Sequence, residues 1–151
     1  MSIDTSIAKS SVVQFSIMLP NQIGALQSLL KLLNKSHIEL IGMSIKDSSD
    51  VTIIRIVVSD PETTLQIFLE KGIAHTTKEL LVVAFRQPAD ELLACLEAFS
   101  KAETNIDFSY ALLPKPDGKT LVAFHIDDPE FGQHVLANAG FDVVSQDDLS
   151  R

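Results

Sequence analysis

The residues of this chain whose types and spacing suit binding chemistry lie in one short run, Asn21-Gln22-Ile23-Gly24-Ala25-Leu26, where a strand-like segment gives way to a helix-like one. A loop entering a helix presents backbone N–H groups that the helix cannot pair, together with the positive end of the helix dipole. Such a junction attracts an anionic group, a carboxylate for example. Gly24 lets the backbone approach a bound molecule with no Cβ in the way. The Asn21 amide both donates and accepts, so it can serve either charged end of a zwitterion. A plainer account of the same residues is a helix cap at Asn21 and an eased turn at Gly24.

Little else is arranged for catalysis. Cys95 falls on an apolar helical stripe with Leu92, Leu96 and Phe99 and reads as a small buried hydrophobe. His37, His75, His125 and His134 show no metal-ligand spacing, and the single cysteine offers no pair, so no metal site is expected. His125 alternates with Phe124 and Ile126 in a strand, the setting of a paired structural histidine. Asp127 and Asp128 precede a helix and read as capping residues rather than an acid–base pair. Tyr110 reads as a half-buried strand residue. Gly-rich phosphate loops and the Gly-x-Ser-x-Gly elbow are both absent, and no cofactor is expected.

The elements that must position the run follow from hydrophobic period. Val12 to Met18 alternates as a strand, and Pro20-Asn21-Gln22 breaks it. Leu26, Leu29, Leu30 and Leu33 give an amphipathic helix from Ile23 to Ser36. Strands follow over Ile38 to Ile45 and Val51 to Val58, joined by the polar turn Lys46 to Asp50. Asp60 is placed to cap the next helix, with Pro61 in its first turn. That helix turns Leu65, Phe68 and Leu69 inward and stops at Gly72, and Ala74 to Thr77 is a short fourth strand. In the third strand Ile54, Ile56 and Val58 line one face and Val51, Ile53 and Val57 the other. One face meets the helices, and the second is apolar enough to need cover from a second sheet or a second chain.

The pattern is then written again. Leu26, Leu29, Leu30, Leu33, Ile38 and Leu40 correspond to Leu92, Cys95, Leu96, Phe99, Thr104 and Ile106. Asp60-Pro61-Glu62 corresponds to Asp128-Pro129-Glu130, and Gly72 to Gly140. The second copy reads as strand Leu81 to Arg86, helix Asp90 to Ala102, strand Asn105 to Leu113, turn Pro114 to Lys119, strand Thr120 to Asp127, helix Pro129 to Ala139 and strand Asp142 to Ser145. The expected architecture is α+β: two ferredoxin-like βαββαβ units, Ser11 to Glu79 and Leu80 to Leu149, each an antiparallel sheet with both helices on one face. No Pro/Gly/Ser linker marks the join at Lys78-Glu79, so packed halves are expected. In the second copy the first loop becomes Pro88-Ala89-Asp90-Glu91-Leu92, where two negative charges favour the helix start and repel a carboxylate. One ligand loop per chain is therefore expected.

Composition narrows the rest. Of the 151 residues 46% are hydrophobic, which excludes disorder, and 12 Lys and Arg against 20 Asp and Glu give a net charge of −8. An acidic chain without a basic cluster argues against nucleic-acid and anionic-membrane partners. Apolar runs such as Leu80 to Phe85 are too short to span a bilayer, and Met1 to Ser10 lacks the apolar block of a signal peptide. A single cysteine fits a reducing cytoplasm.

The repeated unit resembles the ACT domain, a small βαββαβ module that binds amino acids and regulates their metabolism, and the doubled chain resembles the short tandem-ACT proteins. Asn21 to Leu26 matches the family's Asp/Asn-x-Pro-Gly-x-Leu signature at Asn21, Gly24 and Leu26 and departs from it at Ile23, where Pro is usual. Its Asn-x-x-Gly-Ala-Leu form is similar to the regulatory small subunit of acetohydroxyacid synthase (acetolactate synthase), which senses valine. Thr104-Asn105-Ile106, Tyr110-Ala111 and Val143-Val144-Ser145 through Leu149 also resemble segments of tandem members. The resemblance covers the chain from about its eleventh residue.

That resemblance implies a non-catalytic regulatory module holding a small amino acid between ACT units. Its ligand residues would be Asn21, Gln22, Ile23, Gly24, Ala25 and Leu26, met by Glu39 or Asn105 at the start of a second strand. A homodimer and a biosynthetic enzyme subunit are the implied partners, with branched-chain amino-acid synthesis as the implied pathway. Two other readings stand beside it: a structural interaction domain whose ligand loop has decayed, and a small ferredoxin-like enzyme. Against the enzyme, the loops carry Asn21, Gln22, Asp90 and Glu91 where an anion clamp would need cations, and Arg55 and Arg86 are isolated.

Overall fold

The computed structural model describes residues 11–20, 23–114 and 117–150. Two compact units divide the chain, one built on Val13–Lys78 and the other on Glu79–Leu149.

In the first unit, β1 (Val12–Pro20) leads to α1 (Ala25–Lys35), the hairpin β2 (Leu40–Asp47) and β3 (Val51–Val58), and then α2 (Pro61–Lys71). The strands order as β2-β3-β1, with β4 (His75–Phe85) next to β1. The antiparallel register sets Phe15 opposite Ile56, Ile17 opposite Ile54 and Met43 opposite Ile56. In the second unit α3 (Pro88–Lys101), β5 (Ile106–Ala111), β6 (Thr120–Ile126), α4 (Pro129–Asn138), β7 (Asp142–Val144) and the short α5 (Gln146–Leu149) follow β4. The order β7-β4-β6-β5 repeats the first plan, again antiparallel, with Leu81 opposite Phe124 and Val82 opposite Val144. Both units are thus α+β, with a strand–helix–strand crossover before and after a central hairpin. The segments Ala74–Thr77 and Leu81–Arg86, expected as two strands, form one continuous β4 (His75–Phe85). Lys78-Glu79-Leu80 contains no residue that would interrupt it.

One layer of side chains binds sheet to helices in each unit. In the first, Phe15, Ile17, Ile54, Ile56 and Val58 from the sheet meet Leu29, Leu33 and Phe68 from the helices. Phe15 and Phe68 lie edge to face at 5.5 Å, a geometry suited to the ring quadrupoles. In the second, Leu81, Val83, Phe85, Val122, Phe124 and Ile126 meet Cys95, Phe99 and Leu136. The opposite face of the first sheet is closed only at one end. Gln14 and its cross-strand neighbour Val57 are fully buried, whereas Met18, opposite Ile53, is 60% exposed.

The inward stripe of α2 differs from the expected one. Thr64 and Phe68 are the buried residues, while Leu65 and Leu69 are 39% and 68% exposed. Thr64 can take the inner position because its hydroxyl donates to the Asp60 carbonyl at 2.8 Å, leaving its methyl to the core. The repeat counterpart of Thr64 is Gly132, where an added Cβ would collide with Ile126 Cδ1 and lie 2.8 Å from Leu81 Cδ1. The Ile126 and Leu81 side chains fill the space that a side chain at this position would need.

Helix ends repeat as well. After α1 the N–H groups of His37 and Ile38 donate to Asn34 and Leu33 carbonyls, and after α3 those of Glu103 and Thr104 donate to Ser100 and Phe99. This closure needs a left-handed residue, and His37 (φ 58°) and Glu103 (φ 54°) supply it without glycine. Gly72 (φ 68°) does the same after α2. The edge strands β2 and β5 each open with a bulge, between Leu40 and Gly42 and between Ile106 and Phe108.

Asp60 caps α2, its carboxylate accepting the Thr63 N–H at 3.1 Å and the Thr63 hydroxyl at 2.7 Å. These bonds favour the ionised form and hold the carboxyl below its usual 3.8. Asp60→Ala should cost about 1 kcal/mol at neutral pH and Asp60→Asn less, read by urea unfolding. Folding favours the charged carboxyl, so the wild-type advantage over Asp60→Asn is complete above the unfolded value. It should fade as pH drops through the lower folded value.

Candidate functional site

The first junction is built from the end of β1 and the start of α1. Gly24 sits at the N-cap with φ 91°, a left-handed conformation that stops the helix from extending backward. The first helical bond runs from the Ser28 N–H to the Gly24 carbonyl at 2.9 Å. Gly24 supplies no side-chain cap, and the first turn of α1 holds no acidic residue. Of the expected ligand residues, Ile23 is fully exposed, whereas Gly24, Ala25 and Leu26 are half-buried, Leu26 against the core. Asn21 and Gln22 lie outside the described residues.

The counterpart in the second unit is constructed differently. Helix α3 was expected from Asp90 and instead starts at Pro88, which suits a first-turn position because its missing N–H would have had no partner. Asp90 and Glu91 stand in that first turn, on the positive end of the dipole. Glu91 reaches back so that Oε2 accepts the N–H groups of Arg86 (2.8 Å) and Gln87 (3.1 Å). Sequence reasoning saw these two charges but missed the back-bond. Its signal is a Glu one turn inside a helix start, as in a capping box.

Glu39 and Asn105 occupy the strand starts, both exposed, immediately before β2 and β5. Glu39 is fixed by its backbone: its N–H donates to Ser59 Oγ at 2.9 Å, and its carbonyl accepts the Ser59 N–H at 3.0 Å. The structure does not bring Glu39 to the first junction. Pro20 pairs with Val51 at one end of β3 and Leu40 with Val58 at the other, which separates the two by roughly 20 Å of strand. Asn105 borders an open cavity of about 420 Å³ at the C-terminal end of α3, walled by Leu96, Phe99 and Ile106 and rimmed by Ser100, Glu103 and Thr104. Glu103 at this rim is the left-handed residue noted above, a feature with no signature in the sequence.

The remaining candidates take structural places. His125 Nδ1 lies 2.9 Å from Asp107 Oδ2, close enough for charge pairing but off the angle of a hydrogen bond. Its ring stacks on Phe108 at 4.9 Å. Asp107 faces it because the β5 bulge turns that residue out of register. Asp128 caps α4 by accepting the Phe131 N–H at 3.0 Å. Among the described residues no group of three or more His, Cys, Asp or Glu is placed to hold a metal ion, and no helix is long and apolar enough to cross a membrane.

The family described as the ACT domain pair matches residues 10–151, and the chain belongs to it. A solved protein of Bacteroides thetaiotaomicron shares the fold with a TM-score of 0.86 at 22% identity, over 94% of this chain and 97% of that one. The ligand-free regulatory subunit of aspartate kinase from Thermus thermophilus is similar with a TM-score of 0.58 at 11% identity, over 86% and 93%. The corresponding subunit from Thermus flavus gives 0.54 at 15%, over 84% and 89%. No curated protein matches the sequence significantly.

Cys95 is fully buried, and burial pushes its thiol up from 9.0 to about 12. That cuts the thiolate fraction below pH 9 by about a thousandfold. Ellman's reagent at pH 8 should therefore leave the native chain unmodified while titrating one thiol per chain in urea. Rapid native labelling would show that the helix face is open.

Proposed function

We propose that this chain is a non-catalytic regulatory module that binds a small amino acid at the Gly24 junction. The observation that carries the reading is the start of α1: a left-handed glycine, no side-chain cap from it and no acid in the first turn. Among the described residues it is the one start of the four longer helices that is neither capped by a side chain from its N-cap nor lined with acids. A ligand carboxylate would meet N–H donors and the dipole there, and Asn21 would serve either charged end of the zwitterion.

A strand-start residue is the natural second contact for the ammonium, through the Glu39 carboxylate or the Asn105 amide. Glu39 stands at the far end of its own sheet, so the contact is supplied by a neighbouring unit, in our reading within a homodimer. Ligand binding that differs between two packings of the units would then be passed to a biosynthetic enzyme subunit. The similar regulatory subunits of aspartate kinase support that class of partner. The similar structures named above lend no support to the acetohydroxyacid synthase suggested by Asn21 to Leu26.

A melting assay against the twenty L-amino acids tests the proposal. At a hundred times Kd one of them should add about 2.7 kcal/mol, or roughly 5–10 °C for a chain of this size. Gly24→Asp, which adds a charge and strains the left-handed position, should abolish the gain. If no amino acid shifts the melt, the interaction-scaffold reading takes its place.

A further inference from the structure

The bulges that open β2 and β5 are held by different chemistry. In the first unit the extra residue is Ile41, and Val57 stands opposite the residue after it; both are buried and apolar. The same two places in the second unit hold Asp107 and His125. Their polar atoms meet: Nδ1 of His125 lies 2.9 Å from Oδ2 of Asp107, with the side chains 16% and 42% exposed. Among the described residues that buried Nδ1 makes no hydrogen bond. A neutral imidazole is poorly served there, since it turns a lone pair toward the carboxylate or donates to it off angle. An imidazolium meets the carboxylate as an opposite charge.

We infer that Asp107 and His125 are positioning residues, a proton-dependent clasp on the β5 bulge that fixes Asn105 at the strand start. The inference rests on the reading of Asn105 as a contact for a ligand ammonium and adds what holds that contact in place. Ile106 joins the two sites: it pairs with Ile126, packs against the core and borders the same cavity as Asn105. The path of the chain away from that cavity is set by Ile106 on one side and by the clasp on the other. The ring lies flat on Phe108, and Phe108 on Tyr110, so a change of charge is taken up at Asp107, the more exposed partner. Other titratable groups stand further off. Tyr110 lies beyond Phe108 on β5, and Asp127 follows β6. β4 brings buried, uncharged Leu80 to this side of the sheet, with Lys78 beyond it, and Asp148 of α5 borders the Ala84 end of that strand. Among the described residues Asp107 is the one acid within ion-pair distance of the ring.

Histidine side chains change charge between about pH 5 and 8, and the clasp is closed at the acid end of that range and loosens as pH rises. The test titrates the full ¹⁵N-labelled chain across the range with no ligand added. In the wild type the Asn105 backbone amide should shift with the same midpoint as the His125 ring protons. Asp107→Asn keeps the shape of the pair and the charge change of the ring but removes the carboxylate; the Asn105 response should be lost while the ring still titrates. Asp107→Ile/His125→Val copies the first unit's pair and should hold the Asn105 amide at one position throughout.

An Asn105 amide that stays still while the wild-type ring titrates overturns the inference, and so does a ring that keeps one charge across the range. A response that persists in Asp107→Asn reduces the effect to the field of the ring and overturns it as well. No amino acid enters these measurements, whereas the melting assay reads ligand binding alone. The clasp and the proposed function can therefore fail separately.

Discussion

An α-helix cannot pair the N–H groups of its own first turn through its backbone ladder, and each of the four longer helices among the described residues must meet that demand in another way. Asp60 and Asp128 do so for α2 and α4 with a carboxylate at the N-cap. In α3 the carboxylate comes from Glu91, inside the helix, and bonds the residues just before it. Only α1 begins on a residue without a side chain. The crossovers depend on these starts, because each helix must leave the sheet where its cap forms in order to return over the same face. The place where that demand is met without an internal acid is also the place suited to an external one.

The duplicated plan shows which features tolerate drift. Strand order, the helix-facing core and the left-handed closure after each helix are the same in both units, although His37 and Glu103 perform that closure with unrelated side chains. At matching inward positions of the second helix of each unit, the first unit uses Thr64 and the second Gly132, two ways of fitting a small inner residue. Backbone geometry persisted in both copies, and the chemistry at the junctions diverged.

The fold class was legible because hydrophobic period and cap residues agree locally: Asp60-Pro61 and Asp128-Pro129 mark helix starts, and Phe15, Ile54 and Phe124 alternate into the core. Less legible were features set by tertiary contact. Leu65 and Leu69 look more apolar than Thr64, yet Thr64 faces inward because a local hydrogen bond neutralises its hydroxyl. The start of α3 moved because Pro88 and Glu91 act together across four residues, a coupling that single-residue preferences omit. Of the candidate site, Gly24 to Leu26 stand at a helix entrance, and the separation of Glu39 from them could be read only from strand register.

The paired bulges carry a consequence of their own. Two edge strands, β2 and β5, start with an extra residue, Ile41 in one and Asp107 in the other, at equivalent points of the repeat. A straight edge would offer an unbroken row of amides to any passing strand, including that of an identical molecule. The kink interrupts that row and increases the local twist. On β2 and β5 the bulge in this way works against open-ended pairing of one molecule's edge with the next.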